Sequence, residues 1–181
     1  MVPLRTSPQQ RGVLHGGPLR LAVFDSSVLT SDIIATIRRG RPSSFVADMR
    51  DGTIRGFITH QVWAEVPRVL QDRSDEGEPF DLAAAQNLWW TTYLPYLYTV
   101  CTDGLPLTPH AEQLLLEDAS DVGTVQLHAV LGPAALISHD ADLKRSGLAH
   151  RDWGQVPRRS RQRGRHRGDR SPVGQHGVVD C

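Results

Sequence analysis

Apolar residues gather in short runs and helical stripes between residues 20 and 150. LAVF (21–24) ends in Asp25, the pattern of a buried strand feeding a loop. Thr30 or Ser31 can cap a helix through DIIATIRR, which Gly40 ends. Pro42 opens a second helical stretch, SSFVADMRDG, closed by Gly52. IRGFIT (54–59) is β-branched and aromatic and predicts a second strand. HQVWAEVPRVL follows, with Val62, Val66 and Val69 on one helical face. Pro67 lies inside that stretch, which requires a first turn near Glu65 or a kink. Beyond the polar RSDEGEP, DLAAAQNLWWTTYL predicts a further helix and YLYTVC (96–101) a third strand. AEQLLLEDASDVGTVQLHAVLG predicts one or two helices broken near Ala119 or Ser120. AALIS (134–138) predicts a fourth strand, and DADLKRSG a short last helix. Strands separated by helices predict an α/β fold with a parallel sheet covered on both faces.

Charge divides the chain differently from what its total suggests. The 181 residues carry 20 basic and 20 acidic groups, a formal net charge of zero. Residues 1–20 hold three Arg and no acid, and residues 151–181 hold eight Arg against three Asp. The stretch between carries nine basic and 17 acidic groups, a net charge of −8. Both ends are rich in Pro, Gly, Gln and Arg without apolar spacing. The expected organisation is therefore a disordered arm (1–19), one folded domain (20–150) and a disordered Arg-rich tail (151–181). The tail RRSRQRGRHRGDR can attract phosphates, although a solvated tail is the commoner case. No apolar run approaches the roughly 18 residues of a spanning helix, and the first 20 residues hold no apolar signal-peptide core. Cys101 and Cys181 are too few for a disulfide framework and lack metal-ligand spacing, so the expected setting is the reducing cytoplasm.

The chemistry lies in where the acids fall. In an open parallel sheet, ligand sites form beyond the carboxyl ends of the strands. Asp25 follows the first strand, Asp140 lies just past the fourth, and Glu65 sits about two helical turns beyond the second. Asp118 and Asp121, three apart near a helix start, can share one side. Two unit charges about 4 Å apart repel by about 4 kcal/mol at an effective dielectric near 20, so such a cluster needs a counter-charge. A divalent, oxygen-seeking cation such as Mg²⁺ or Mn²⁺ supplies it, lowers the pKa of a bound water and shields a phosphodiester. Singly, each acid has a plainer reading: a helix cap for Asp25, Asp118 or Asp121, a solvated helix residue for Glu65, a turn residue for Asp140. Asp32 and the acids at 48, 51, 72, 75, 76, 78 and 81 read as surface charges.

VFDSSVLTS, ITHQVWAEVPRVL and EDASDVGTVQLHAVLGPAALISHDADL, in this order and spacing, resemble the successive motifs of PIN domains across residues 20 to 150. The resemblance implies a three-layer α/β/α sandwich on a parallel, Rossmann-like sheet, and a Mg²⁺- or Mn²⁺-dependent ribonuclease. It implies RNA as substrate, products with a 5′-phosphate and a 3′-hydroxyl, and, since many members are toxins of bacterial toxin–antitoxin pairs, an antitoxin protein as partner. By position, Asp25, Glu65, Asp121 and Asp140 match the family's four acids, with Asp118 assisting or replacing Asp121. Ser138 matches the Ser or Thr that ends the fourth strand, and Asp142 is a weaker candidate for the site. Ser27 stands where the family commonly has Asn; its hydroxyl can still bond a carboxylate or a water.

The aromatic set Trp89, Trp90, Tyr93, Tyr96 and Tyr98 reads as core or homodimer surface rather than as a base-stacking platform. His60, His128 and His139 are not required by the metal reading. Two alternatives stand beside the nuclease. One is a non-catalytic RNA-binding or protein-interaction module on the same fold. The other is a haloacid-dehalogenase-like phosphatase, which wants an Asp where Ser27 stands.

Overall fold

The computed structural model describes residues 19–109, 111–112, 119–132, 134–145 and 147–150. Asp118 and the two expected arms, Leu19 apart, lie outside the described residues. The strands β1 (Arg20–Phe24), β2 (Ile54–Thr59), β3 (Leu97–Val100), β4 (Ala135–Ile137) and β5 (Ala149–His150) form one sheet in the order β3-β2-β1-β4-β5. Every pairing is parallel. The helices are α1 (Ser26–Arg39), α2 (Ser44–Arg50), α3 (His60–Asp75), α4 (Leu82–Leu88), α5 (Val122–Leu131) and α6 (Ala141–Arg145). No helix among the described residues is long and apolar enough to cross a membrane.

Side chains alternate across the strands, so successive residues of β1 enter different cores. Ala22 and Phe24 pack with Leu29 and Ile33 of α1, Val46 and Met49 of α2, Val66 of α3 and Ala85 of α4. Val23 packs on the opposite face with Val122 and Val125 of α5 and Leu143 of α6. The result is a three-layer α/β/α sandwich, as the sequence leads one to expect. Fully burying one Val or Leu contributes about 1.5–3 kcal/mol, and both faces of the central strand do so.

Several elements depart from the expected boundaries. Helix α1 starts at Ser26 rather than after Thr30 or Ser31. Thr30 cannot serve as its cap because its hydroxyl donates to the Ser26 carbonyl (2.8 Å) inside the helix. Gly40 ends α1 at φ 65°, a left-handed conformation open to glycine without strain. Helix α3 begins at His60 and continues through Pro67 to Asp75, taking in part of the expected polar break. An interior proline costs about 3 kcal/mol, which burial of Val62, Val66 and Leu70 outweighs. Val69, expected on the buried face, is only half-buried. The helix expected over 81–94 is α4 followed by a π-helical turn (Trp89–Tyr93) and a 3₁₀ turn (Leu94–Tyr96). Strand β5 is an addition to the four expected strands: two residues give no alternation to read.

Candidate functional site

Parallel windings in opposite directions from one strand leave a crevice at the carboxyl ends, and here that strand is β1. The chain winds from β1 through β2 to β3 on one side, then crosses to β4 and β5 on the other. Val23 is opposite Phe57 and Phe24 opposite Ile137. Continued upward, these registers set Asp25 beside Thr59 and Ser138. The Asp25 N–H donates to the Ile137 carbonyl (3.1 Å), closing the β1–β4 ladder.

Asp25 also occupies the N-cap position of α1, yet its carboxylate makes no capping bond. The side chain is buried, 4% exposed, and Oδ2 accepts from the Ser138 hydroxyl (2.8 Å) and from the Ser27 hydroxyl. The two serines extend the network: the His139 N–H donates to Ser27 Oγ (3.0 Å) and the Asp140 N–H to Ser138 Oγ (2.9 Å). A loop beyond β4 is thereby tied to the acid beyond β1 through two hydroxyls that both donate and accept. Hydroxyls manage this because each offers one donor and two lone pairs.

The remaining acids differ in what they do. Asp140 Oδ1 accepts from the N–H groups of Asp142 (2.6 Å) and Leu143 (2.9 Å), so it caps α6. Asp142 pairs with Arg145 one helical turn on and is exposed. Asp121 holds the N-cap position of α5 without a capping bond. Helix α5 reaches the same rim because Gly123 lets it settle on the strand ends. A Cβ there would lie 2.9 Å from Thr102 Oγ1 and 3.7 Å from Thr59 Cγ2. Glu65 is half-buried on α3 and pairs with Arg68 at 3.8 Å. The structure therefore links Asp25, Ser27, Ser138 and Asp140 directly and brings the start of α5, with Asp121, to the same rim.

An all-carboxylate donor set suits a hard cation such as Mg²⁺ or Mn²⁺. Among the described residues, however, no three Asp, Glu, His or Cys side chains stand close enough together to share one ion. Asp118 lies outside those residues.

One acid departs from its expected role. Asp32 is not a free surface charge: it accepts from the Tyr93 hydroxyl (2.5 Å), which also pairs with the Thr36 hydroxyl (3.2 Å). Burial pushes the Asp32 carboxyl above its ordinary range, against the opposing pull of Tyr93 and, at 3.6 Å, of Arg39. Burial and the Asp32 charge likewise raise the Tyr93 phenol well above its usual value. Of the aromatic set, Trp89 and Tyr93 are core, whereas Trp90 and Tyr98 are exposed. Trp90 meets Trp63 edge to face at 5.7 Å, and Tyr98 stacks on Phe57 at 5.4 Å. His128 bonds the Ala134 carbonyl (3.1 Å), and burial holds its imidazole below the ordinary value.

The fold is an α/β/α sandwich with the buried Asp25 carboxylate, held by Ser27 and Ser138, at its topological switch point. Neither a protein-family model nor a curated protein matches the chain. Among solved structures it is similar to PAE2754 from Pyrobaculum aerophilum, at 15% sequence identity and a TM-score of 0.46, over 75% of this chain and 86% of that one.

Proposed function

We propose that the chain is a PIN-type, Mg²⁺- or Mn²⁺-dependent ribonuclease acting on a cytoplasmic RNA. The observation that carries this reading is Asp25. A buried carboxylate at the switch point gives up its helix-capping role and is instead gripped by Ser27 and Ser138. Burying a carboxylate is costly unless it is hydrogen-bonded, and here two serine hydroxyls are placed to do so. In this reading Asp25, Asp121 and Asp140 hold the cation, with Glu65 and Asp118 completing or supporting the set. When bound, the ion supplies positive charge toward a phosphodiester and a water of lowered pKa. The chain's own part is orientation. Ser27 and Ser138 fix the Asp25 carboxylate, Ser138 holds the Asp140 backbone, and the start of α5 brings Asp121 to the rim. An antitoxin protein or a second copy of the chain would be a further partner of the same reading.

Asp25→Asn tests it. Cleavage of a mixed RNA pool by the wild type should require Mg²⁺ or Mn²⁺ and stop with chelator. The variant should fall to background while keeping its circular dichroism and melting temperature. Undiminished cleavage by the variant overturns the proposal. The spacing of the described carboxylates favours a second reading, a non-catalytic module that binds RNA or protein. That reading takes over if the wild type neither cleaves RNA with either ion nor binds Mn²⁺ in calorimetry.

A further inference from the structure

The acidic body carries a basic concavity toward the end of α1 that lies away from the Asp25 rim. A cleft of about 490 Å³ lies between the last turns of α1 and α3, a volume within the range of small-molecule pockets. Helix α1 contributes Ile34, Ala35, Arg38 and Arg39, and the end of α3 with its following loop contributes Arg73 and Glu78. The cleft runs along α1 from Ser31 to Arg39, and Arg38, 13 residues beyond Asp25, stands roughly 20 Å from the rim at 1.5 Å per helical residue.

Three of the nine basic groups between residues 21 and 150 thus share one cleft, where their like charges repel. The carboxyl ends of α1 and α3 favour cations, and this accounts for arginines in their last turns. It does not account for their convergence on a common space. The charge supplied inside the cleft is incomplete. Glu78 alone bridges two guanidinium groups, at 2.8 Å from Arg38 and 3.6 Å from Arg73. Arg39 donates from Nε to the Ala35 carbonyl (3.0 Å) and faces the Asp32 carboxylate at 3.6 Å, whose burial disfavours its anionic form. The three arginines stay a third to a half exposed, so their donors reach solvent at the mouth. Ile34 is 2% exposed and gives the cleft an apolar floor.

We infer that this cleft binds a phosphate monoester, its oxygens among Arg38, Arg39 and Arg73 and its organic part over Ile34 and Ala35. Guanidinium forks match phosphate geometry and keep their charge at any physiological pH. Glu78 occupies, with its own carboxylate, the position between Arg38 and Arg73 that an incoming oxyanion would take. The inference is independent of the reading of the Asp25 rim.

Calorimetric titration of the full chain with orthophosphate, a nucleoside 5′-monophosphate and the parent nucleoside is the test. The monophosphate should bind more tightly than orthophosphate, and the nucleoside should not bind. Replacing both Arg38 and Arg73 by Gln should weaken monophosphate binding by at least about tenfold, through lost charge-assisted bonds. Glu78→Gln should strengthen it, because a competing carboxylate is gone. The Arg-rich terminal segment is common to all these proteins, so its contribution cancels in the comparison. Should the double variant melt below the assay temperature, Arg39→Gln gives the same readout, weaker binding, on a folded chain. Unchanged affinity in the arginine variants overturns the inference. So does nucleoside binding equal to that of the monophosphate, or a Glu78→Gln protein that loses stability without gaining affinity.

Discussion

Asp25 is held through two different parts of the same residue. Its N–H belongs to the β1–β4 ladder, while its carboxylate belongs to Ser27 and Ser138. Ser138 is the more consequential serine because it is fully buried and also receives the Asp140 N–H. Ser138→Ala should therefore cost about 1–3 kcal/mol in urea denaturation, the usual penalty for unsatisfied buried groups. If the proposed activity holds, the same variant should lose roughly 10–100-fold of it, as expected for a residue that orients a metal-binding carboxylate. Asp32 provides a pH test of a different kind. Burial raises its carboxyl above 3.8, so the protonated form is favoured in the fold. The stability it contributes is present below that value and is lost as pH rises through the raised one. Asp32→Asn is neutral throughout, and its stability relative to wild type should climb as pH goes from below 3.8 toward neutrality. Denaturation midpoints measured across that range check this; a difference independent of pH would contradict it. The two acids were not equally legible. Asp25 announces itself by following an apolar run, whereas Asp32 is defined by Tyr93, 61 positions away, and no local pattern reveals such a pair.

Elements were legible where burial imposed a period and obscure where a special contact set the boundary. Strand β2 matches the expected range because its β-branched and aromatic residues alternate between the two cores. Helix α1 was expected to start late because Thr30 resembles a cap, and only the bond from its hydroxyl to Ser26 shows it inside the helix. The single-turn character of 89–96 and the two-residue β5 are set by packing and edge pairing, not by sequence periodicity. Gly56 is the element-scale position most sensitive to change. A Cβ there would lie 2.7 Å from Leu97 Cδ2, 2.9 Å from Phe24 Cε2 and 3.0 Å from Met49 Sδ. Gly56→Ala should destabilise the protein by about 1–3 kcal/mol, since overpacking exceeds the smaller gain from stiffening the unfolded chain. Trimming Leu97 to Ala in the same chain should recover part of that loss, which a thermal melt of the single and double variants will show. At the rim, Gly123 makes the corresponding close approach to Thr102 and lets α5 reach the strand ends.

For the molecule as a whole, the zero net charge conceals an acidic stretch between two basic ends, with the Asp25 rim where α1 begins and an arginine cleft toward its end. Under the proposed function, a cation that binds only the folded protein should raise its melting temperature. At a free concentration near 100 times its Kd the gain is about 2.7 kcal/mol. Mn²⁺ titration should therefore shift the wild-type melt upward and leave Asp25→Asn unmoved; equal shifts would argue against a site built on Asp25. The sheet order has another consequence. Strand β1 is central, paired on both sides by strands of three or more residues, whereas the edge beyond β4 is only the two-residue β5, flanked by the five-residue α6. Amide hydrogens of 22–25 should exchange with deuterium only through global unfolding, and those around Asp140 and β5 through smaller, more frequent openings. One wall of the crevice is then anchored in the slowest-exchanging part of the protein, while the other can breathe and admit a ligand without disturbing it.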